Sequence, residues 1–532
     1  MSPNQRLMVA VVLSIIFFSA YTAIFPPEPM ALQENNTTKK DLHVTQKQKD
    51  GASVEKLAGH DIPASEKIAT QDSTILTTLK AKDFILKLDT LGRIASKELL
   101  DERFRDSEDL HAQVIPNKGA KPLFIRFADD TLNQVAAKTP YTASIKEATI
   151  EDQPVKVTLT QKLPELTVTK ELTFYKDGHY DASIKLSKEV RYFVYVGHRP
   201  EVSKKLMAAA GVLVYTGDNV AHIIEDGDAD ARQTFSDVLV ASAFDQYTAT
   251  MFYGLKRDTT VIVDGDSEQN PVLYFDAIGN ESFKGYLGPK EYKTLKAIDP
   301  VLTNAIEFGW FTFAAKPLFA VLLWLHDHIG NWGWAIIALT ALVRLILYPL
   351  TYKGMVSMQK MKQIAPKVKE LQQKYKGDPQ RMNAAVMELY KKHGANPLGG
   401  CLPMLLQIPV FFAMYRVFLN AVELQGAPWI LWVTDLSRMD PTFILPILMG
   451  ASMYLQQRMT PTNFTDPMQE KVMKFLPVIF TFFFVTFPSG LVLYWFVNNL
   501  FSIMQQYIVN KQFENAEDLK EHIEKKQKKE KK

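Results

Sequence analysis

Two hydrophobic rhythms divide the chain. Leu7–Phe25 is an unbroken apolar run, and apolar stretches of helical length return between Pro317 and about Asn510. From about 75 to 295 the period drops to two. Segments such as Val155–Thr160, Leu172–Tyr175, Tyr192–Val196, Val212–Tyr215, Thr260–Val263, Val272–Phe275 and Lys121–Phe127 are rich in β-branched and aromatic residues. Asp177-Gly178, Gly217-Asp218, Asp264-Gly265 and Gly288-Pro289 supply turn chemistry between them. Many short strands with almost no helical period predict one antiparallel β-sandwich over 71–298.

The flanking regions read as helices. Leu7–Phe25, with no clean cleavage site behind it, predicts a retained first transmembrane helix over 1–25. Pro26, Pro27 and Pro29 stop it, and the Gln-, Asn-, Thr- and Lys-rich stretch 26–70 reads as a linker. Residues 299–331 predict an interfacial amphipathic helix over Val301–Ala315, then a short run opened by Pro317 and a polar connection through His326 and His328. A second transmembrane helix follows at 332–352. A basic helical hairpin occupies 353–396, its two helices at Met355–Tyr375 and Pro379–His393. A third span covers 397–421, a loop 422–440, and the fourth to sixth spans, Phe443–Gln457, Val472–Phe487 and Leu491–Val509, fill 441–510. A basic tail, 511–532, closes the chain.

Charge orients this plan. The net charge of +3 decides nothing, but Lys and Arg crowd the short 353–396 hairpin, which belongs on the cytoplasmic side. The second span then runs outside to inside. The sandwich lies on the far side of the membrane, and both termini are cytoplasmic after six spans. The expectation is a multi-pass membrane protein.

Candidate chemistry is sparse. The lone Cys401 excludes an internal disulfide and any cysteine-cluster metal site. The histidines of the sandwich lack metal-ligand spacing, and Glu225–Asp230 lacks the full calcium-loop pattern. No phosphate-binding G-x-x-x-x-G-K-[ST] and no nucleic-acid motif is present. No catalytic residue, metal or cofactor is expected, and an enzyme is not indicated. What stands out is Arg344. On a helix it lies roughly 13 Å inside the edge set by Lys353. No Asp or Glu occurs within the predicted spans, so this charge must be hydrated or meet an anion from outside. Thr340, Gln407, Gln456, Asn498, Asn499 and Gln505 are polar helpers. Arg416, one turn from the far end of the third span, is near enough to snorkel.

Several motifs in one order resemble a known family. Thr340-Ala-Leu-Val-Arg-Leu-Ile-Leu-Tyr-Pro-Leu-Thr351, Asn396-Pro-Leu-Gly-Gly-Cys401, Asp440–Gly450, Thr465-Asp-Pro-Met-Gln469 and Phe487-Pro-Ser-Gly-Leu-Val-Leu-Tyr494 are similar to the YidC/Oxa/Alb membrane protein insertases. The first span and large extra domain match that family's Gram-negative bacterial branch, which implies a bacterial inner (cytoplasmic) membrane with the sandwich in the periplasm. The resemblance implies an α-helical six-span bundle with a five-helix insertase core, a large periplasmic β-sandwich and a cytoplasmic helical hairpin. It implies a hydrophilic, cytosol-open groove around Arg344, with Thr340, Gln407, Phe411, Met449, Phe483, Tyr494 and Trp495 along the substrate path. Trp495 stands where a second tyrosine is common, and Arg416 is not a family expectation. Implied partners are nascent membrane proteins, the lipid bilayer, a Sec translocon (SecYEG, SecDF) and the ribosome. A passive transporter or channel with a periplasmic binding domain, and a scaffold for membrane complexes, are the competing readings.

Overall fold

The computed structural model describes residues 74–104, 111–117, 119–202, 209–394, 402–460 and 467–530. The predicted first span, the linker and the Asn396–Cys401 motif lie outside the described residues. The chain forms two compact units, one from residues before 289 and one from 289 onward, to which 101–104 also belong.

The first unit is the expected sandwich. Its strands run from Ile75 to Pro289 in sheets of four, five and nine strands. The nine-stranded sheet shows how the period-two pattern works. In Thr167–Phe174, Val168, Leu172 and Phe174 point inward while the threonines alternate outward, and the strand pairs antiparallel with Val155–Lys162 and His179–Leu186. Lys170 and Lys97 occupy inward positions too, against the rule that burying a cation is costly. Lys170 Nζ donates to the carbonyls of Gly92 (2.7 Å) and Leu123 (2.8 Å), and Lys97 Nζ donates to that of Leu287. Burial pulls both amines down to about 7.

Four expectations for this unit need correction. The strand at Lys121–Phe127 shortens to Ile125–Phe127, because Leu123 adopts a left-handed conformation (φ 66°). Asp264-Gly265 and Gly288-Pro289 each end a strand; after the first, the turn follows at Asp266, whose carboxylate accepts the Glu268 and Asn270 N–H groups. A helix, α1 (Asp130–Lys138), interrupts the β pattern, started by Asp129 accepting from the Thr131 and Leu132 amides. One pairing, Ile75–Lys80 with Glu147–Thr149, is parallel.

The second unit is helical. After α2 (Tyr292–Ile298), residues 300–311 form two 3₁₀ turns, Pro300–Ala305 and Gly309–Phe311, rather than an α-helix to Ala315. Gly309 takes φ 66°, which breaks the helical path. The long helix of this region is α3 (Thr312–Ile329), which absorbs Pro317. It also carries His326 and His328 in its last turn, not in a connection, before Gly330 closes it in a left-handed cap.

The second span and the first hairpin helix are one 43-residue rod, α4 (Trp332–Lys374), with Pro349 and Pro366 inside. Asp378 caps α5 (Pro379–Lys392) through the Arg381 amide. Then come α6 (Leu402–Asn420), α7 (Ile444–Met459), α8 (Pro467–Phe484) and α9 (Ser489–Glu530). As far as Glu530 the tail continues α9 without a break. Among the described residues, α4 alone is long and apolar enough to cross a membrane by length and composition, at a mean hydropathy of 1.8.

Glu423, in the 3₁₀ turn after α6, is buried and accepts the Tyr292 N–H at 2.8 Å. Burial raises its carboxyl from 4.5 to about 7. Between those values the folded state holds a proton that the unfolded chain has lost, so stability falls as pH rises from about 4.5 to 7 and is flat above. Glu423→Gln keeps an acceptor for Tyr292 and removes the charge. Melting in detergent at pH 5 and pH 8 should show the variant matching the parent at pH 5 and exceeding it at pH 8, by on the order of 1–3 kcal/mol.

Candidate functional site

The polar residues of α9 build the site. Asn498, Asn499, Ser502, Gln505 and Gln506 are all buried, on a helix whose other residues here are mostly apolar. Adjacent asparagines face different neighbours. Asn498 Oδ1 accepts from Arg344 Nε of α4 at 2.7 Å, and its backbone carbonyl accepts from Arg344 Nη2 at 3.2 Å. Asn499 Nδ2 donates to Ser452 Oγ of α7 at 3.1 Å. Further along, Asn510 Oδ1 accepts from Gln359 of α4, and its Nδ2 donates to the Met459 carbonyl of α7 at 3.4 Å. These pairs advance together along all three helices, so α4, α7 and α9 run in the same direction. α6 runs the other way: its C-terminal end leads to Pro428, whose carbonyl accepts from Asn331 at the start of α4 at 3.1 Å. Gln407 Nε2 of α6 donates to Tyr494 Oη at 3.0 Å. The second, fourth and sixth predicted spans are therefore parallel, as alternating crossings require.

Arg344 is 8% exposed. Two of its five N–H groups have Asn498 acceptors, and no carboxylate pairs with it among the described residues. An amide is a neutral partner. It lowers the desolvation cost of the guanidinium but leaves the charge uncompensated.

The other expected site residues divide into groups. Thr340, one turn before Arg344, is buried with its hydroxyl donating to the Ile336 carbonyl of its own helix at 2.7 Å. Met449 is fully buried, one turn from Ser452. Gln407, Phe411, Tyr494 and Trp495 form a continuous patch: Phe411 meets Trp495 edge-on at 4.5 Å, and the Phe484 ring lies 5.2 Å from Trp495. The indole packs against both rings, edge-on to Phe411 and tilted to Phe484. Phe483 stands apart, 52% exposed, with Phe487 at 5.0 Å.

Arg416 does not snorkel alone: its Nη1 lies 3.7 Å from Glu307 Oε2. Sequence reasoning also missed Gln359, Ser452, Ser502, Gln506 and Asn510. For α9 a signal existed, since 498, 502, 505 and 506 fall on one helical stripe. In the sandwich, a cavity of about 130 Å³ lies between α1 and Ile125–Phe127. No group of three or more His, Cys, Asp or Glu among the described residues could hold a metal ion.

Comparison with known proteins bears on this arrangement. The family model described as 60Kd inner membrane protein matches residues 324–517, and that of the YidC periplasmic domain matches 241–321. The membrane protein insertase YidC of Wolinella succinogenes is 47% identical over 513 residues, 96% of this chain and 95% of the relative. That of Campylobacter jejuni is 45% identical over 520 residues, 96% of each chain. The chain belongs to the YidC family of membrane protein insertases. The Helicobacter pylori member, 43% identical over 556 residues, covers 98% of this chain and 99% of its own length. The YidC-type fold accounts for both units, the β-sandwich and the helical bundle with its hairpin.

Asn498→Leu leaves the Arg344 Nε–H without its side-chain acceptor and should cost about 1–3 kcal/mol of stability. Asn498→Asp supplies a counter-charge and should cost less. Thermal unfolding of the two purified variants in one detergent checks the order.

Proposed function

We propose that this YidC-family chain inserts and folds nascent inner-membrane proteins through a hydrophilic groove, open to the cytosol and centred on Arg344. The observation that carries the reading is the neutral partner of Arg344. A buried guanidinium bonded to an amide remains able to attract an anion, whereas one paired with a carboxylate would be neutralised. A charge at such depth costs about 2.5–3.5 kcal/mol on insertion scales. That cost is partly recovered each time an acidic client segment enters.

In this mechanism a nascent span reaches the basic hairpin, and its short polar flank enters the groove. Arg344 and groove water lower the cost of carrying that flank part-way across. The client's apolar span then moves into lipid along α6 and α8, past Phe411, Trp495 and the exposed Phe483, driven by about 25 cal/mol per Å² of apolar burial. Thr340 and Met449 shape the packed wall beside Arg344, and the Gln407–Tyr494 pair lies on the path. The membrane potential contributes about 2.3 kcal/mol per charge per 100 mV for acidic segments. Both termini and the hairpin are cytoplasmic and the sandwich periplasmic. The unit works alone or beside a Sec translocon, and the hairpin with the basic tail offers the surface for ribosomes. Chemical catalysis plays no part.

Purified protein in liposomes, scored by protease-protected insertion of a single-span client, tests the reading. Arg344→Ala should reduce insertion most for a client with an acidic flank and least for a neutral one. Asn498→Asp should show the same preference, because it pre-neutralises the arginine. Insertion no greater than in empty liposomes, or solute flux through the protein, would instead favour a channel. Equal loss for both flanks would discard the charge-attraction account.

A further inference from the structure

The partner of Arg416 is one of three contacts made by a single stripe of α6. Phe412, Arg416 and Asn420 are spaced four residues apart, so they lie one above another on one helix face. All three grip the same short segment. Phe412 stacks on Phe311 with ring centroids 5.4 Å apart and planes 8° from parallel. Arg416 faces the Glu307 carboxylate, and Asn420 Nδ2 donates to the Glu307 carbonyl at 2.8 Å. Glu307 is buried, so its charge has little solvent to rely on.

Gly309 sits over this pair. Its φ of 66° suits glycine, and a Cβ there would lie 3.2 Å from Glu307 Oε1 and 3.4 Å from Arg416 Cζ. The segment thus crosses the ion pair so closely that a methyl group at 309 would press on both charged side chains.

The opposite side of α6 carries different contacts. Gln407 and Phe418 both meet Tyr494, and Phe411 meets Trp495. The helix is two-faced: one side turns toward α9 and the client path, and the other is fastened to residues 307–311.

From this division we infer that Arg416, with Phe412 and Asn420, is a positioning residue for insertion. The stripe latches α6 to the segment that leads into α3 and fixes the rotation of α6 about its own axis. Gln407 and Phe411 are thereby aimed at Tyr494 and Trp495. Arg416 touches no client in this scheme and acts through the helix that carries it. The inference rests on the insertase reading, in which α6 lines the path.

The test uses the full-length chain in two formats. The first is client insertion in liposomes. The second is the yield of a short thiol cross-linker between Phe411→Cys and Trp495→Cys in a Cys401→Ser background, which reports how α6 faces α9. Arg416→Gln should lower insertion about fivefold, the scale of one weakened interaction of this kind. It should lower the cross-linking yield in parallel. Arg416→Lys keeps the charge opposite Glu307 and should restore both, while Gly309→Ala, which wedges the pair, should behave like Arg416→Gln.

Unchanged insertion in Arg416→Gln overturns the inference. So does lost insertion with cross-linking intact, or a lysine variant no better than the glutamine one. If Arg416→Gln does not fold, the lysine and Gly309→Ala variants decide by the same two readouts. If the parent protein inserts no client, the insertase reading fails, and the cross-linking series still decides whether the latch orients α6.

Discussion

A guanidinium held by an amide is the constraint around which the helical unit is arranged. Arg344 cannot be buried without acceptors, and the acceptor it uses belongs to α9. That requirement fixes α4 against α9 at one height. Asn499, the next residue, must face elsewhere on the helix and fastens α7 at the same level. Three helices held side by side and running the same way cannot be joined by tight turns. Each connection must travel back across the bundle, and α6 and α8 are those return paths. The five-helix count therefore follows from three parallel helices plus the two returns between them.

The sandwich meets a related problem with a different answer. Lys97 and Lys170 are buried amines in an apolar interior, and each donates to backbone carbonyls. Those carbonyls belong to strands and loops remote in sequence, so the lysines act as cross-braces within the unit. There the amine serves packing. In the helical unit the acceptors are a neutral side chain and a backbone carbonyl, and among the described residues two of the five Arg344 N–H groups meet them.

Much of this was legible from residues alone. Period-two alternation located the strands because one face of each is buried, and the apolar runs located the helices because lipid or helix packing demands them. Arg344 was conspicuous for lacking an acid nearby in sequence. Two kinds of fact were not legible. Helix boundaries were obscured because Lys353 and Lys511 mark a change of solvent, whereas backbone geometry continues through both points and makes α4 and α9 single rods. The partner of Arg416 was hidden because it arrives from far away; the Asn420 bond to the same Glu307 spans 113 residues. Local pattern carries no information about such a pairing. Nor did the run around Gly309 announce its 3₁₀ turns, since apolar residues there keep a helical spacing that the positive φ overrides.

The continuity of the two rods has a mechanical consequence. Tyr352 Oη donates to Gln512 at 3.0 Å, and Gln359 pairs with Asn510, so α4 and α9 remain clasped beyond the last apolar turn of the predicted span. A hairpin attached by a flexible joint at Lys353 could swing without disturbing Arg344. Here its root is the same helix that holds the arginine, and it is braced for roughly 9 Å, six residues at 1.5 Å each, past that point. Independent bending of the hairpin must begin beyond Gln359, and Pro366 is the first place past that point where α4 lacks a backbone N–H for its own ladder. Force applied to the hairpin nearer than Pro366 is carried along a continuous helix to the site. The clasp thus sets which part of the hairpin can bend freely and which part moves only with Arg344.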